Sequence, residues 1–192
     1  RHGQLHRRGS RIQADMKVFY DFHIHSGLSP CADDDMTPNN IVNMAKLKGL
    51  DVIAITDHNS VKNAPAAMAV GKRVNITVLA GMEIETAEEV HLVALFPSLD
   101  SAKTAEGVIW DNLPPIQNRK DIFGSQIIMD ENDNAVGEVD RLLATACALS
   151  AGEVFDMVKS LGGAVFPAHV DRSSYSILSN LGFIPESLGI SH

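Results

Sequence analysis

Cysteine and aromatic residues are scarce in this chain. Two cysteines are spread over 192 residues, and aromatic residues make up only 5% of the sequence. Two cysteines in a chain of this length do not form the disulfide framework of a small secreted domain, which favours a cytoplasmic, reducing location. No apolar run approaches the roughly 18 residues that a membrane-spanning helix needs, so we expect no role at a membrane.

Several common functional motifs are also missing from the sequence. It contains no Walker-type phosphate loop, no Gly-x-Ser-x-Gly elbow and no Cys-x-x-Cys pair. These motifs supply the nucleotide-binding, nucleophilic and zinc-binding groups of their respective classes. The absence of all three disfavours a nucleotide-triphosphate switch, a serine hydrolase and a zinc ribbon.

Basic residues are outnumbered by acidic ones. The chain has 16 Lys and Arg against 24 Asp and Glu, a net charge of −8, with a hydrophobic share of 45% that is typical of a soluble globular protein. Such an acidic body argues against nucleic acid as a partner, because a phosphate backbone attracts Lys and Arg. It is compatible with a site that gathers cations.

The first fifteen residues differ from the rest of the chain. They carry four arginines against one aspartate and show no hydrophobic periodicity, whereas Met16 begins an ordinary apolar pattern. We interpret residues 1–15 as a tag-like or disordered extension, and residues 16–192 as a single domain.

Hydrophobic periodicity in this domain alternates between strand and helix. Thr37 and Pro38 are a typical cap and first residue of a helix, and Ser150 and Glu153 match a capping box. The alternation predicts a parallel α/β sheet. Residues 98–137 show less regularity, and a further strand is expected to begin near Leu188. The predicted strands are 18–25, 51–56, 75–80, 90–96 and 164–167, and the predicted helices start at or near 37, 64, 138 and 150.

Imidazole and carboxylate groups coincide with these predicted strands. The carboxyl ends of parallel strands meet at one edge of a sheet, where side chains from different strands converge on a site. His23 and His25 are two residues apart on a strand and therefore point the same way. Histidine and carboxylate ligands suit zinc, manganese or iron. The residues concerned are His23, His25, His58, Glu83, His91 and His169.

The order of these motifs resembles that of the PHP (polymerase and histidinol phosphatase) superfamily. The matching segments are Asp21–Ser26, Ile55–His58, Gly81–Ile84, Val90–Leu92 and Ala168–His169. The resemblance implies a distorted (β/α)7 barrel with two or three divalent metal ions that hydrolyses phosphoesters. It also implies that His23, His25 and Glu83 bind a first metal. Glu83 would bridge to a second metal held by His169 and His91, and His58 would bind a third.

The sequence departs from the family pattern in two places that bear on the site. Cys31 stands where some members have a metal-binding histidine, which leaves open whether it is a zinc ligand or an unligated loop thiol. The final Asp-x-His motif does not follow His169, so we expect a domain that is truncated at its C-terminus. His192 is a weak candidate for a substitute ligand.

Two further residues are predicted to take part in the chemistry. Asp57 precedes His58 and is expected either to orient that histidine or move a proton, although a helix-capping role is also open. Arg172, three residues after His169, is expected to bind a phosphoryl group. Arg119 and Arg141 are weaker candidates for the same task, with surface exposure as the alternative.

The leading hypothesis is a metal-dependent phosphoesterase that hydrolyses a small phosphorylated metabolite through a metal-activated hydroxide. Three alternatives remain open: a nuclease of the same superfamily, an amidohydrolase-like C–N hydrolase, and a non-catalytic metal-binding or regulatory module. Bare sheet edges in an incomplete barrel also leave an oligomer possible.

Overall fold

The fold is a mixed α/β arrangement around a curled, half-barrel sheet of five strands. The computed structural model describes residues 17–190; the proposed extension at 1–15, Met16 and the candidate ligand His192 lie outside these described residues. The strands of the main sheet are β1 (Tyr20–Ile24), β2 (Val52–Ile55), β3 (Thr77–Glu85), β4 (His91–Phe96) and β7 (Ala164–Pro167), in the order β1-β2-β3-β4-β7.

Most of the helices contribute to the large core on one face of this sheet, and a small hairpin forms a separate sheet. The helices are α1 (Pro38–Leu47), α2 (Ala64–Val74), α3 (Leu99–Asn112), α4 (Lys120–Phe123), α5 (Ala151–Ser160) and α6 (Ile177–Leu181), and the hairpin pairs β5 (Ile127–Met129) with β6 (Ala135–Glu138). Within residues 17–190, none of the helices combines the length and apolar character that crossing a membrane requires.

The helix starts at Thr37 and Ser150 are confirmed. The Thr37 side chain accepts a hydrogen bond from the backbone N–H of Asn40, and Ser150 and Glu153 form the reciprocal bonds of a capping box. Each cap satisfies N–H groups that have no partner inside the helix, so the chain leaves its loop at a defined residue.

The prediction of a parallel sheet is wrong for half of the strand pairs. β1, β2 and β3 run parallel, but β4 pairs antiparallel with both β3 and β7. β3 is longer than predicted and continues through Glu83 to Glu85, so only residues 86–90 separate it from β4. Five residues are too few for a parallel crossover, which needs a dozen or more. The chain therefore turns straight back.

Three other predictions of secondary structure also fail. Residues 138–149 are not a helix but irregular chain after β6, and a 3-10 helix, Glu186–Leu188, stands where a strand was expected. α3 occupies much of the segment expected to be irregular. The observed sheet has five strands, so the seven-stranded barrel stays a prediction.

The main sheet is buried on both faces near its centre. Every residue of β4 is buried, with Leu92 and Ala94 in the large core that the helices cover. Val93 and Leu95 point the opposite way into a smaller apolar cluster. Burial on both faces explains the nearly continuous apolar run of this strand. His91 is the first residue of this buried strand.

Candidate metal centre

Six side chains from five strand ends meet at one edge of the main sheet. His23 lies within β1, and His25 directly follows this strand. Glu83 lies in β3, and an isolated bridge between His58 and Glu83 extends the β2–β3 pairing by a few residues. His58 therefore lies beside Glu83 at this edge of the sheet.

The antiparallel direction of β4 brings His91 to this edge. His91 is the first residue of β4 and pairs in register with Glu85 at the end of β3. His169 follows β7, whose pairing with β4 is continued by the Ala168 N–H donating to the His91 carbonyl at 2.9 Å. His169 itself has a positive φ of 27°. A left-handed backbone is costly for such a residue, and strain of this kind is common at functional sites.

The Glu83 carboxylate is the centre of the cluster, with five imidazoles around its two oxygens. Oε1 lies 3.1 Å from His23 Nε2, 3.1 Å from His91 Nδ1 and 3.3 Å from His169 Nε2. Oε2 lies 3.0 Å from His25 Nε2 and 3.5 Å from His58 Nδ1. The two oxygens thus face different sets of imidazoles, which is the arrangement that a bridging carboxylate requires.

These spacings fit a metal coordination shell. Two ligands that each lie about 2.0–2.1 Å from one zinc ion are roughly 2.9–3.4 Å apart at ordinary coordination angles. Three ring nitrogens here are buried without a hydrogen-bond partner among the described residues: His58 Nδ1, His91 Nε2 and His169 Nδ1. Because buried polar groups are normally satisfied, nitrogens of this kind indicate room for a cation.

The charge on these groups supports the same interpretation. Burial by itself would raise the pKa of Glu83, but hydrogen bonds from His23, His25 and His91 outweigh it and hold this pKa well below its usual range. Burial lowers the pKa of His58 to about 3. Glu83 is therefore an anion and His58 a neutral imidazole at pH 7, and both are the forms that bind metal.

Two other histidines gain protons when no metal competes for them. Burial opposes protonation of His25, yet the Cys31 and Glu83 side chains raise its pKa to about 10. Burial opposes protonation of His91 as well, yet its hydrogen bond to Glu83 and the nearby Glu85 carboxylate raise its pKa to about 9. The site therefore attracts positive charge, and a metal ion would displace these protons.

Cys31 lies beside this cluster. Its sulfur and one nitrogen each of His25 and His58 all lie within 4.8 Å of one another, so the three could hold one ion. The residue is exposed at the surface of the cavity. Ligation by Cys31 stays a prediction that the geometry permits.

Asp57 and Arg172 occupy different positions relative to the cluster. Asp57 is completely buried, and its carboxylate accepts hydrogen bonds from Ser26 and Ser29 rather than from the His58 ring. Burial raises the pKa of Asp57. Arg172 lines the same cavity as the histidines and forms no ion pair within residues 17–190.

The weaker arginine candidates lie elsewhere. Arg119 forms an exposed ion pair with Asp121, and Arg141 stacks on the Trp110 ring at 4.2 Å while donating to the Trp110 carbonyl. Neither arginine lines the cavity of the histidine cluster. Each arginine is instead held by a partner outside the cavity: Arg119 by Asp121, and Arg141 by Trp110.

The cavity also contains residues that sequence reasoning missed. It measures about 680 Å³ and includes Phe123, Ala144 and Tyr175 in its lining. The Tyr175 ring lies 5.0 Å from the His91 ring, and the Tyr175 carbonyl accepts the His91 N–H at 3.1 Å. No local pattern in the sequence points to these residues, because each comes from a loop or a short helix that is brought in by tertiary contacts.

Together, the half-barrel and the strand-edge cluster define an α/β domain with groups of His and Glu side chains that could hold metal ions. A family model described as "PHP domain" matches residues 21–157, more than half of the chain, so the chain belongs to the PHP domain family. The resemblance inferred from the motifs is confirmed. Members of this family are metal-dependent hydrolases.

Two curated relatives match parts of the chain. An uncharacterized protein of Methanocaldococcus jannaschii is 34% identical over 91 residues, which is 43% of this chain and 53% of the relative. A 5'-3' exoribonuclease of Haemophilus influenzae is 34% identical over 79 residues, 40% of this chain and 28% of the relative. The chain thus spans about half of the first relative and just over a quarter of the second.

Solved structures show the same fold. A proposed metal-dependent phosphoesterase from Bifidobacterium adolescentis aligns with a TM-score of 0.56 and 20% identity, covering 81% of this chain and 68% of that one. The lesion-specific endonuclease Q of Pyrococcus furiosus aligns with a TM-score of 0.62 and 19% identity, covering 91% and 40%. At these identities the likeness concerns the fold.

Proposed function

We propose that this chain is a metal-dependent phosphoesterase that hydrolyses a small phosphorylated metabolite. The observation that carries the proposal is the Glu83 carboxylate, ringed by five imidazoles and facing a cavity that also contains the Arg172 guanidinium. One cavity thus holds ligands for metal ions and a cation for an anionic substrate.

The proposed ligands of two or three divalent ions are His23, His25, His58, Glu83, His91 and His169, with Cys31 as an additional ligand beside His25 and His58. When bound, such ions supply hydroxide at neutral pH and neutralise the charge on a phosphoryl group. Mixed histidine and carboxylate ligands suit zinc, manganese and iron, and the Cys31 thiolate favours zinc.

Arg172 is proposed to bind the phosphoryl oxygens of the substrate. A guanidinium presents paired N–H groups that match two phosphate oxygens. Arg172 is the one Lys or Arg among the residues that line the cavity. One Arg and no Lys in the lining of a cavity of about 680 Å³ suits a small molecule with one phosphate better than a polymer, whose binding relies on many Lys and Arg contacts.

A nuclease is the second candidate, because two partly exposed aromatic rings line the same cavity. Phe123 and Tyr175 are 38% and 46% exposed, and such rings can stack on nucleobases. The likenesses to an exoribonuclease and to endonuclease Q agree with this alternative. This activity requires only that the terminal nucleotide of a nucleic-acid chain enters the cavity.

The proposal can be tested with the full chain, stripped of metal and then loaded separately with zinc, manganese or iron. Phosphate release would be measured on a panel of sugar, nucleotide and amino-alcohol phosphates, alongside labelled single-stranded DNA and RNA. Release from small monoesters supports the proposal, while degradation of the polymers alone supports the nuclease. Ammonia release from amide substrates, or metal binding without any turnover, would contradict both.

Arg172→Ala tests the substrate-binding part of this proposal. Loss of one charged hydrogen-bonding partner, worth about 1.5–3 kcal/mol, should lower kcat/KM by roughly 10–100-fold. Arg119→Ala is the matched control, because Arg119 is an exposed arginine that pairs with Asp121 outside the cavity. Equal effects of the two substitutions would contradict a role for Arg172 in binding phosphate.

A further inference from the structure

A buried hydrogen-bonded chain connects the metal cluster to Asp57. His25 Nδ1 lies 3.0 Å from Ser29 Oγ, and Ser29 Oγ lies 2.7 Å from Asp57 Oδ1. Ser29 is 1% exposed and Asp57 is fully buried. The Ser29–Asp57 end of the chain is therefore shielded from water.

The hydroxyl of Ser29 has its full set of partners. It has one hydrogen and two lone pairs. The Asp57 carboxylate accepts the hydrogen, and the backbone N–H of His58, which can only donate, takes one lone pair at 3.0 Å. The remaining contact, to His25 Nδ1, must then be one in which Ser29 accepts.

Two neighbouring groups fix the direction of this chain. The Ser26 N–H and the Ser26 hydroxyl both donate to Asp57, each at 2.7 Å, so the carboxylate already acts as an acceptor on both oxygens. If Ser29 donated to His25 instead, its lone pair would face Asp57 Oδ1 at 2.7 Å with no hydrogen between them. That arrangement is repulsive.

We propose that Ser29 and Asp57 are positioning residues that keep a hydrogen on His25 Nδ1 and thereby aim the Nε2 lone pair at the metal cluster. His25 Nε2 lies 3.0 Å from Glu83 Oε2 and 3.2 Å from His23 Nε2, at the point where the ligand atoms converge. The hydrogen bond on one ring nitrogen thus decides that the other is the ligand.

This assignment gives Asp57 a different task from the one predicted from its neighbour in the sequence. Asp57 acts on His25 through Ser29, and its carboxylate is hydrogen-bonded to Ser26 and Ser29 and not to the His58 ring. Ser29, which lies four residues after His25 in the loop that leads to Cys31, is the link between the two side chains. The inference rests on the proposed metal site, since it concerns how one ligand is aimed.

The test compares Ser29→Ala with Ser26→Ala. Both serines are 1% exposed, and each loses a 2.7 Å hydroxyl bond to Asp57 when it becomes alanine, but of the two hydroxyls only that of Ser29 is hydrogen-bonded to the His25 ring. Removal of an outer partner typically weakens metal binding by 10–100-fold. We expect Ser29→Ala to lower zinc affinity by about that factor, and Ser26→Ala by about threefold or less, in competition with a chromophoric chelator.

A second readout needs no catalysis. In zinc-saturated protein labelled with 15N-histidine, NMR should show a slowly exchanging hydrogen on His25 Nδ1 in the wild type and in Ser26→Ala. In Ser29→Ala, this hydrogen should exchange rapidly with solvent. His25→Ala identifies the resonance. A wild-type His25 without a hydrogen on Nδ1 would overturn the inference even if the protein hydrolyses phosphoesters, as would equal losses of zinc affinity in the two serine variants.

Discussion

Two regions of the molecule meet at the same cavity by different means. The strand-edge region, β1 to β4 with β7, carries the candidate ligands on backbone ladders that share their hydrogen bonds among many residues. The segment 113–149 carries Phe123 and Ala144 but contains only one short helix and one small hairpin. It is held by scattered backbone hydrogen bonds and by buried side-chain amides.

Three fully buried side-chain amides form hydrogen bonds with this segment, one from within it and two from outside it. Gln126 donates to the carbonyls of Val139 and Arg141 and accepts from the Leu143 N–H. Asn59 and Asn63, from the strand-edge region, bond to backbone groups of the segment at several points. The ligand geometry is thus distributed over the sheet, whereas this part of the cavity wall relies on fewer and more scattered contacts.

The largest expected effect belongs to the strand-edge region and concerns Glu83. Glu83→Gln removes the charge that five imidazoles surround, so metal affinity should fall by more than the roughly 100-fold upper value for outer-shell substitutions. Metal content by elemental analysis, together with chelator competition, measures this loss.

Glu85→Gln is the matched control for this substitution. Glu85 is also a buried carboxylate on β3, but its nearest contact in the cluster is His91 Nε2 at 3.8 Å. We expect its loss to lower metal affinity by roughly tenfold or less. If the two variants lost metal equally, Glu83 would not be the centre of the site.

A smaller effect, on stability rather than on metal binding, is expected from Gln126→Leu. It leaves buried carbonyls and an N–H without partners, which should lower the free energy of unfolding by about 2–4 kcal/mol. Denaturant titration measures this change, and hydrogen exchange should show faster opening of 113–149 than of β1 to β4.

Gln117→Leu serves as the comparison, because Gln117 is an exposed glutamine of the same segment. A surface change of this kind should alter stability by less than about 0.5 kcal/mol. If Gln126→Leu behaved like Gln117→Leu, or abolished metal binding in the folded protein, the two regions would not differ as described.

The smallest expected effect is at the contact between the hairpin loop and α1. Asp133 accepts hydrogen bonds from the Thr37 hydroxyl and from the Asn39 backbone and side chain. Asp133→Asn keeps a residue that tolerates the positive φ of 65° and removes only the charge. We expect a loss of about 0.5–1 kcal/mol, against no measurable change for exposed Asp140→Asn. Equal stability of the two variants would show that this contact contributes nothing.

The same contrast explains what the sequence can predict. Candidate ligands were found because they follow strands with clear periodicity, and α1 and α5 because their capping residues act locally. The direction of β4 was missed because it depends on where β3 ends, and β3 continues past its predicted end to Glu85.

Long-range contacts explain the remaining failures. α3 buries only Ala102, Ala105 and Ile109, so its apolar stripe is faint. The segment 138–149 has Val139, Leu142 and Leu143 at helical spacing, but Gln126 takes up backbone groups that a helix would need for itself. Similarly, the link from His25 through Ser29 to Asp57 joins residues 32 positions apart in the chain.

We propose that Glu83 and its five histidines form a centre for more than one metal ion. The most direct measurement is elemental analysis of the purified full chain after metal stripping, reloading with zinc or manganese, and desalting, with His23→Ala in parallel. We expect two or more tightly held ions per chain in the wild type and a lower number in His23→Ala. One ion or none in a folded wild-type protein, or a count that His23→Ala leaves unchanged, would contradict it.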